Sequence, residues 1–319
     1  MRLLVLGGTR FVGRALVEEA VARGWEVSAL NRGTRPLPDG AALLRADRTD
    51  AGALRAALSG RTFDGVVDTW AGAPRVAALA ASLVEAERRA YVSSCSVYVW
   101  EQHVDESSPV VDGSPVADES DYAADKRGGE LAWQDALWLR AGMILGPHED
   151  VGRLPWWLSR ISRGGRVVAP GRPERPLQYV DARDLATFGL DLLAADHTGG
   201  VDVTSVSGHA TTRSLLEACT AVTGSDAALE WVSWERLSAA GVEPWTQLPC
   251  WVPEEGEFRG FLEGDVSHAL SLGLSCRPVE ATVADTWAWV QRDGVPEQGP
   301  GRAPHGLPPD VEAALLSTP

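Results

Sequence analysis

Tyr122 and Lys126 stand four residues apart in the run Asp121-Tyr122-Ala123-Ala124-Asp125-Lys126. On a helix that spacing puts both side chains on one face. A phenol at its free pKa of about 10 is a poor proton donor or acceptor at neutral pH, and an adjacent ammonium stabilises the phenolate and lowers that pKa. The pair therefore suits proton exchange with a carbonyl or alcohol oxygen, although alone it also reads as an ordinary solvated helix face. A second signal is Tyr91-Val92-Ser93-Ser94-Cys95-Ser96-Val97-Tyr98, an apolar strand that ends in hydroxyl residues. A hydroxyl at a strand's carboxyl end can hydrogen-bond a substrate oxygen and support charge that develops there. The third signal is Gly7-Gly8-Thr9-Arg10-Phe11-Val12-Gly13, between the apolar run Leu3-Leu4-Val5-Leu6 and the helical pattern Val12, Ala15, Leu16, Ala20. Glycines there let the chain turn sharply and let a pyrophosphate approach the backbone, and the helix N-terminus holds its charge.

These groups must be positioned by a regular framework, and the first half of the chain supplies one. Candidate strands are 3–6, 27–30, 43–46, 65–68, 90–93 and 137–139, with helical patterns at 14–23, 51–58 and 76–87 and a helix from Tyr122 to about Gln134. Such alternation predicts an α/β fold, a Rossmann-type doubly wound parallel sheet. Near-continuous apolar strands fit a sheet buried on both faces. After Gly146-Pro147 the pattern is irregular, and residues 178–204, with a helix at 182–194, return to the first domain. The expected division is a dinucleotide-binding domain over 1–147 and 178–204, a smaller, mostly helical substrate domain over 148–177 and 205–290, and a Pro/Gly-rich tail over 291–319 with one helix near 309–316.

With 319 residues, 45% apolar content and 23% charged content, the chain reads as globular. Its net charge of −15 argues against nucleic acid and anionic membranes as partners. The partner expected is a small-molecule substrate. No run of about 18 apolar residues predicts a membrane span. The chain enters its first strand without a signal-peptide pattern, which predicts a cytoplasmic protein. Cys95, Cys219, Cys250 and Cys276 lack paired metal-ligand spacing and read as free thiols in a reducing compartment. His148, Glu149 and Asp150 read as a solvated loop rather than metal ligands, and Arg175 and Gln178 as candidate substrate contacts. Most of the 13 tryptophans are expected in cores or interfaces, with some lining an apolar cleft.

Taken together, these motifs resemble the extended short-chain dehydrogenase/reductase family, in its epimerase/dehydratase branch. Gly7 and Gly13 match the first and last glycines of G-x-x-G-x-x-G, with Arg10 in place of the middle one. Ser94, four residues before Tyr98, stands where the family places its catalytic hydroxyl, and Tyr122 and Lys126 match Y-x-x-x-K. The segments Arg140–Pro147 and Val180–Ala186 resemble two further family blocks. The resemblance implies that Tyr122 acts as acid–base, Ser94 hydrogen-bonds the reacting oxygen, and Lys126 tunes Tyr122 and binds the cofactor ribose. It places Asp47 against adenine.

Residue by residue, the cofactor site would comprise Gly7, Gly8, Thr9, Arg10, Phe11, Val12, Gly13, Asn31, Arg32, Arg35, Asp47 and Lys126. An NAD site would carry an acid at the end of the second strand to hold the ribose 2′-hydroxyl. This chain has Asn31-Arg32-Gly33-Thr34-Arg35 instead, and guanidinium groups suit a 2′-phosphate, so NADP is favoured over NAD. Cys95-Ser96 replace the Asp-Glu pair of the family's sugar-nucleotide dehydratases, which argues against dehydration. Met143, Ser82 and Asp68 replace an Asn, an Asn and a His that many members carry, which weakens a nucleotide-sugar substrate. The expected function is an NAD(P)-dependent oxidoreductase acting on the carbonyl or alcohol of a small metabolite. The alternatives are a nucleotide-sugar epimerase with tightly bound NAD, and a non-catalytic cofactor-sensing or RNA-binding relative on the same fold.

Overall fold

Leu3, Leu4, Val5 and Leu6 are fully buried, because the strand they form is covered on both faces. The structure is a computed structural model and describes residues 1–100, 104–258, 260–295 and 305–317. Strands β1 (Arg2–Leu6), β2 (Glu26–Asn31), β3 (Ala41–Arg45), β4 (Thr62–Asp68), β5 (Glu85–Ser94) and β6 (Leu137–Ala141) belong to one seven-stranded sheet. Its seventh strand is Gly199–Val203, and the spatial order is Gly199–Val203, β6, β5, β4, β1, β2, β3. All neighbouring pairs are parallel. The strand order reverses between β1 and β4, and the crevice at the carboxyl ends there is where such sheets bind ligands.

Helices α1 (Phe11–Ala22), α2 (Ala51–Leu58), α3 (Pro74–Leu83) and α4 (Tyr122–Ala132) follow β1, β3, β4 and β5. The sequence pattern extends the third helix to Glu87, but the helix stops at Leu83 and β5 begins at Glu85. Pairing of Thr62 with Glu85 and Phe63 with Ala86 pulls these good helix formers into the sheet. The strand Gly199–Val203 is absent from the candidate list above. It alternates poorly with its two glycines and Asp202, and its pairing with β6 defines it.

A second apolar cluster lies beside the sheet. It contains Leu154, Trp157 and Leu158 of α5 (Arg153–Ser162), Leu215 and Leu216 of helix Thr212–Thr223, Val279 and Val283 of helix Val279–Asp293, and Leu315 of helix Pro309–Ser317. A parallel two-stranded sheet joins Arg166–Pro170 to Ala228–Val232 within it. The short strand β7 (Met143–Leu145) pairs in parallel with Tyr179–Asp181, whose Asp181 caps α6 (Ala182–Ala194). Helix α6 packs on α1, while Ala269 and Leu274 join the cluster around the sheet. Among the described residues no helix is long and apolar enough to cross a membrane.

Candidate functional site

Where β1 ends, Gly7 and Gly8 take φ of +130° and +96°, a region that side chains rarely tolerate. A Cβ on Gly7 would collide with the Thr69 hydroxyl, and one on Gly13 would lie 2.7 Å from the Gly8 backbone nitrogen. The turn is therefore closed down onto its own helix. Helix α1 starts from Arg10 with no side-chain cap and no acidic residue in its first turn, which leaves its first N–H groups for an anion. This bare, glycine-shaped cradle fits a dinucleotide pyrophosphate. The Arg10 guanidinium reaches across to Asp150, 3.1 Å away, from the loop after β7.

The end of β2 is held locally. Asn31 donates through Nδ2 to the Gly7 carbonyl at 3.3 Å and accepts from Gly33 N at 2.8 Å. Arg32 lines the cleft, and Arg35 lies outside the lining residues. Asp47 also lines it, accepting from the Thr49 hydroxyl and Thr49 N at 2.7 and 2.9 Å. Those bonds, with the nearby Arg32 charge, hold its carboxyl below the usual range. Next to it Arg48 grips the fully buried Asp68 through two 2.7 Å bonds, and Trp133 Nε1 and Trp70 N complete that carboxylate's partners. Arg48 lies 4.7 Å from the Trp70 ring centroid, and both line the cleft. Asp68, noted in the sequence only as a departure, is one half of a buried ion pair that fixes the ends of β3 and β4.

The catalytic candidates come from β5 and α4. Ser94 closes β5, and its Oγ donates to Ser96 Oγ and accepts from Ser96 N, each at 3.1 Å. Tyr122 opens α4 and is half exposed, where Asp121 caps the helix by accepting from Ala123 N and Ala124 N. Lys126, one turn on, is buried, and its Nζ donates to the carbonyls of Trp70 at 2.8 Å and Val92 at 2.7 Å. It lies 5.9 Å from the Tyr122 ring centroid and 4.9 Å from that of Tyr91. Burial pushes the Lys126 ammonium down to about 8. All three side chains line the same cleft of about 1200 Å³ as the glycine turn. That exceeds the volume of a typical single-ligand pocket and leaves room for a cofactor and a substrate together.

Beneath Ser94 runs a buried polar chain that the motifs did not reveal. Arg140 forks onto Glu130, at 2.8 and 3.1 Å, and donates to Tyr98 Oη at 2.9 Å. Tyr98 donates in turn to Asp202 at 2.7 Å, and burial pushes the Asp202 carboxyl up to about 7. Tyr98 and Asp202 line the cleft. An aspartate between Val201 and Val203 in a buried strand is the signal that points to it.

The loop after β7 is not the solvated cluster expected from its sequence. Glu149 is fully buried and caps α5 by accepting from Arg153 N at 2.7 Å and Leu154 N at 3.2 Å. Its burial pushes the carboxyl up to about 7. His148 packs 5.2 Å from the Trp289 ring, and burial pulls it down to about 4. Among the described residues no group of three or more His, Cys, Asp or Glu could hold a metal. Gln178 reaches the cleft, but its side chain is committed to Ser205 O, Gly264 O and Gly264 N. Arg175 is buried outside the lining, paired with Glu263 and the Phe261 carbonyl. The far wall instead carries Arg153, Trp100, Trp245, Phe258 and Phe261.

The chain is 26% identical over 239 residues to the chloroplast stem-loop binding protein of 41 kDa b from Arabidopsis thaliana, a match that spans 68% of this chain and 62% of the length of that curated relative. Among solved structures, the Bordetella bronchiseptica enzyme WbmG, in complex with NAD and UDP, aligns with a TM-score of 0.67 at 18% identity, over 97% of this chain and 99% of that one. The UDP-glucose 4-epimerase of Thermus thermophilus, in complex with NAD, aligns with a TM-score of 0.63 at 20% identity, over 92% of this chain and all of that one. These likenesses establish a shared fold. The model of the NAD dependent epimerase/dehydratase family matches residues 3–204, which take in the glycine turn, the β5 hydroxyls and the Tyr122/Lys126 pair, and the chain belongs to that family of enzymes.

Proposed function

We propose that the protein is an NAD(P)-dependent oxidoreductase acting on the carbonyl or alcohol group of a small metabolite. The observation that carries this reading is that Ser94, Tyr122 and Lys126 line one cleft with the glycine turn. A bound nicotinamide dinucleotide would supply the hydride to the carbonyl carbon, or take it from the alcohol. Tyr122, exposed at the mouth of α4, gives its proton to the carbonyl oxygen as the alcohol forms and recovers it in the reverse direction. Ser94 turns its hydroxyl proton from Ser96 Oγ to that oxygen. Two Lys126 N–H groups are anchored on backbone carbonyls, so its charge stays beside the Tyr122 ring and its third N–H is left for a ribose hydroxyl. The glycine turn and the uncapped start of α1 hold the pyrophosphate. Arg32 on the cleft wall, with no acid at the end of β2, supports a preference for the 2′-phosphate of NADP.

A second reading, nucleotide-sugar epimerisation with retained NAD, is favoured by the NAD and UDP-sugar names of the structural neighbours. Net turnover separates the two. With added carbonyl compounds the oxidoreductase reading predicts stoichiometric consumption of NADPH. Epimerase action predicts product without net change in the cofactor. The stem-loop binding name of the curated relative bears on the RNA-binding alternative, which the net charge of −15 opposes; an RNA gel shift without any cofactor turnover would favour that role instead.

A further inference from the structure

The substrate end of the cleft holds a cation that, among the described residues, has no carboxylate hydrogen-bonded to its side chain. Arg153, the first residue of α5, lines the cleft with its guanidinium 4.9 Å from the Trp245 ring centroid. Its Nε is buried and has no hydrogen-bond partner, and among the described residues no carboxylate lies within ion-pair distance of it. Glu149 accepts from the backbone N–H of Arg153 and feels the Arg153 charge, which lowers its carboxyl against the effect of burial, but takes no hydrogen bond from the side chain. A guanidinium whose Nε is buried without a partner, held over an aromatic ring, can donate to an anionic acceptor in the cleft. Arg172 and Arg175, outside the cleft lining, are paired with Glu254 and Glu263, and Arg10, on the lining, with Asp150. Around Arg153 the wall is aromatic: Phe261 lies 4.8 Å from Trp100 and 5.2 Å, edge-on, from Trp245. Gln178, which could otherwise read sugar hydroxyls, has its amide committed to the backbone.

We infer that the substrate is a carbonyl or hydroxy acid with one carboxylate and a flat apolar body. Arg153 holds the carboxylate through forked hydrogen bonds, and Trp245 and Phe261 cover the body. Among the described residues at this end Arg153 is the one cation outside an ion pair, which matches one negative charge, and a nucleoside diphosphate group brings more. This inference rests on the oxidoreductase reading of the same cleft and adds to it the class of substrate.

Calorimetric titration of the full chain loaded with NADPH tests it, with phenylpyruvate, phenylacetone and UDP-glucose as probes. Phenylacetone keeps the ring and the ketone and lacks the carboxylate. The expected result is that the acid binds about tenfold or more tightly than the ketone. Arg153→Gln removes that difference. UDP-glucose binds more weakly than the acid. Equal affinity of the wild-type protein for acid and ketone, no binding of the acid, or tightest binding of UDP-glucose overturns the inference. The acid-against-ketone comparison uses the wild-type chain, so it stands even if the variant misfolds. Binding is read without turnover: a bound acid that never oxidises NADPH counts against the oxidoreductase reading alone, and a neutral ketone reduced while the acid does not bind counts against the substrate class alone.

Discussion

The two ends of the cleft are built by different means. At the glycine-turn end the backbone sets the shape: glycines with positive φ, the uncapped start of α1, and carbonyls that anchor Lys126. At the substrate end they are side chains from distant parts of the chain, with Arg153 against Trp245 and Trp100 against Phe261. A backbone cradle tolerates few residue types and so leaves a motif. A side-chain wall is assembled by tertiary packing and can change chemistry while the fold stays the same. On the proposed function the first end would set which cofactor family binds, and the second what is done with it.

The largest expected effect breaks the backbone end. Gly13→Ala puts a methyl 2.7 Å from Gly8 N, a main-chain atom that cannot swing away. Dinucleotide binding should be lost in a direct titration, and urea unfolding should show about 1–3 kcal/mol of destabilisation. A Gly13→Ala protein that binds cofactor normally would show that the turn is not the cradle.

A pH profile sharpens the link between the two ends. Burial favours the neutral amine of Lys126, so its proton leaves near pH 8, earlier than from a free lysine. The charge beside Tyr122 is present below that pH and lost above it. Carbonyl reduction should therefore fall as pH rises through about 8, approaching about tenfold per unit. A rate that stays flat to pH 10, about the free-lysine value, would separate Lys126 from the chemistry.

The smallest effect concerns cofactor choice. Arg32→Ala should weaken NADPH about tenfold and leave NADH nearly unchanged, as read by fluorescence titration of each. Equal losses would mean that Arg32 does not read the 2′-phosphate, and would move the preference toward NAD.

The sequence made the cofactor end readable because each part of it is local. Leu3–Leu6, the glycine turn and the start of α1 follow one another directly, and Tyr122 and Lys126 lie one helical turn apart. The sheet and its family follow from such segments. What was not legible depends on contacts across the chain. The third helix gave up Glu85–Glu87 to pairing with β4, and Gly199–Val203 became a strand only beside β6. Glu149 looked like a loop charge and is a buried helix cap. Arg10 meets Asp150, and Arg153 meets Trp245, at separations that no spacing rule covers.

The central claim is that Tyr122 moves the proton in a hydride-transfer reaction. The most direct measurement is cofactor binding and single-turnover reduction in Tyr122→Phe, which keeps the ring and removes only the hydroxyl. The account predicts cofactor affinity within about twofold of the parent and a rate lowered by about 10²–10⁴. Turnover at the parental rate in that variant would contradict it.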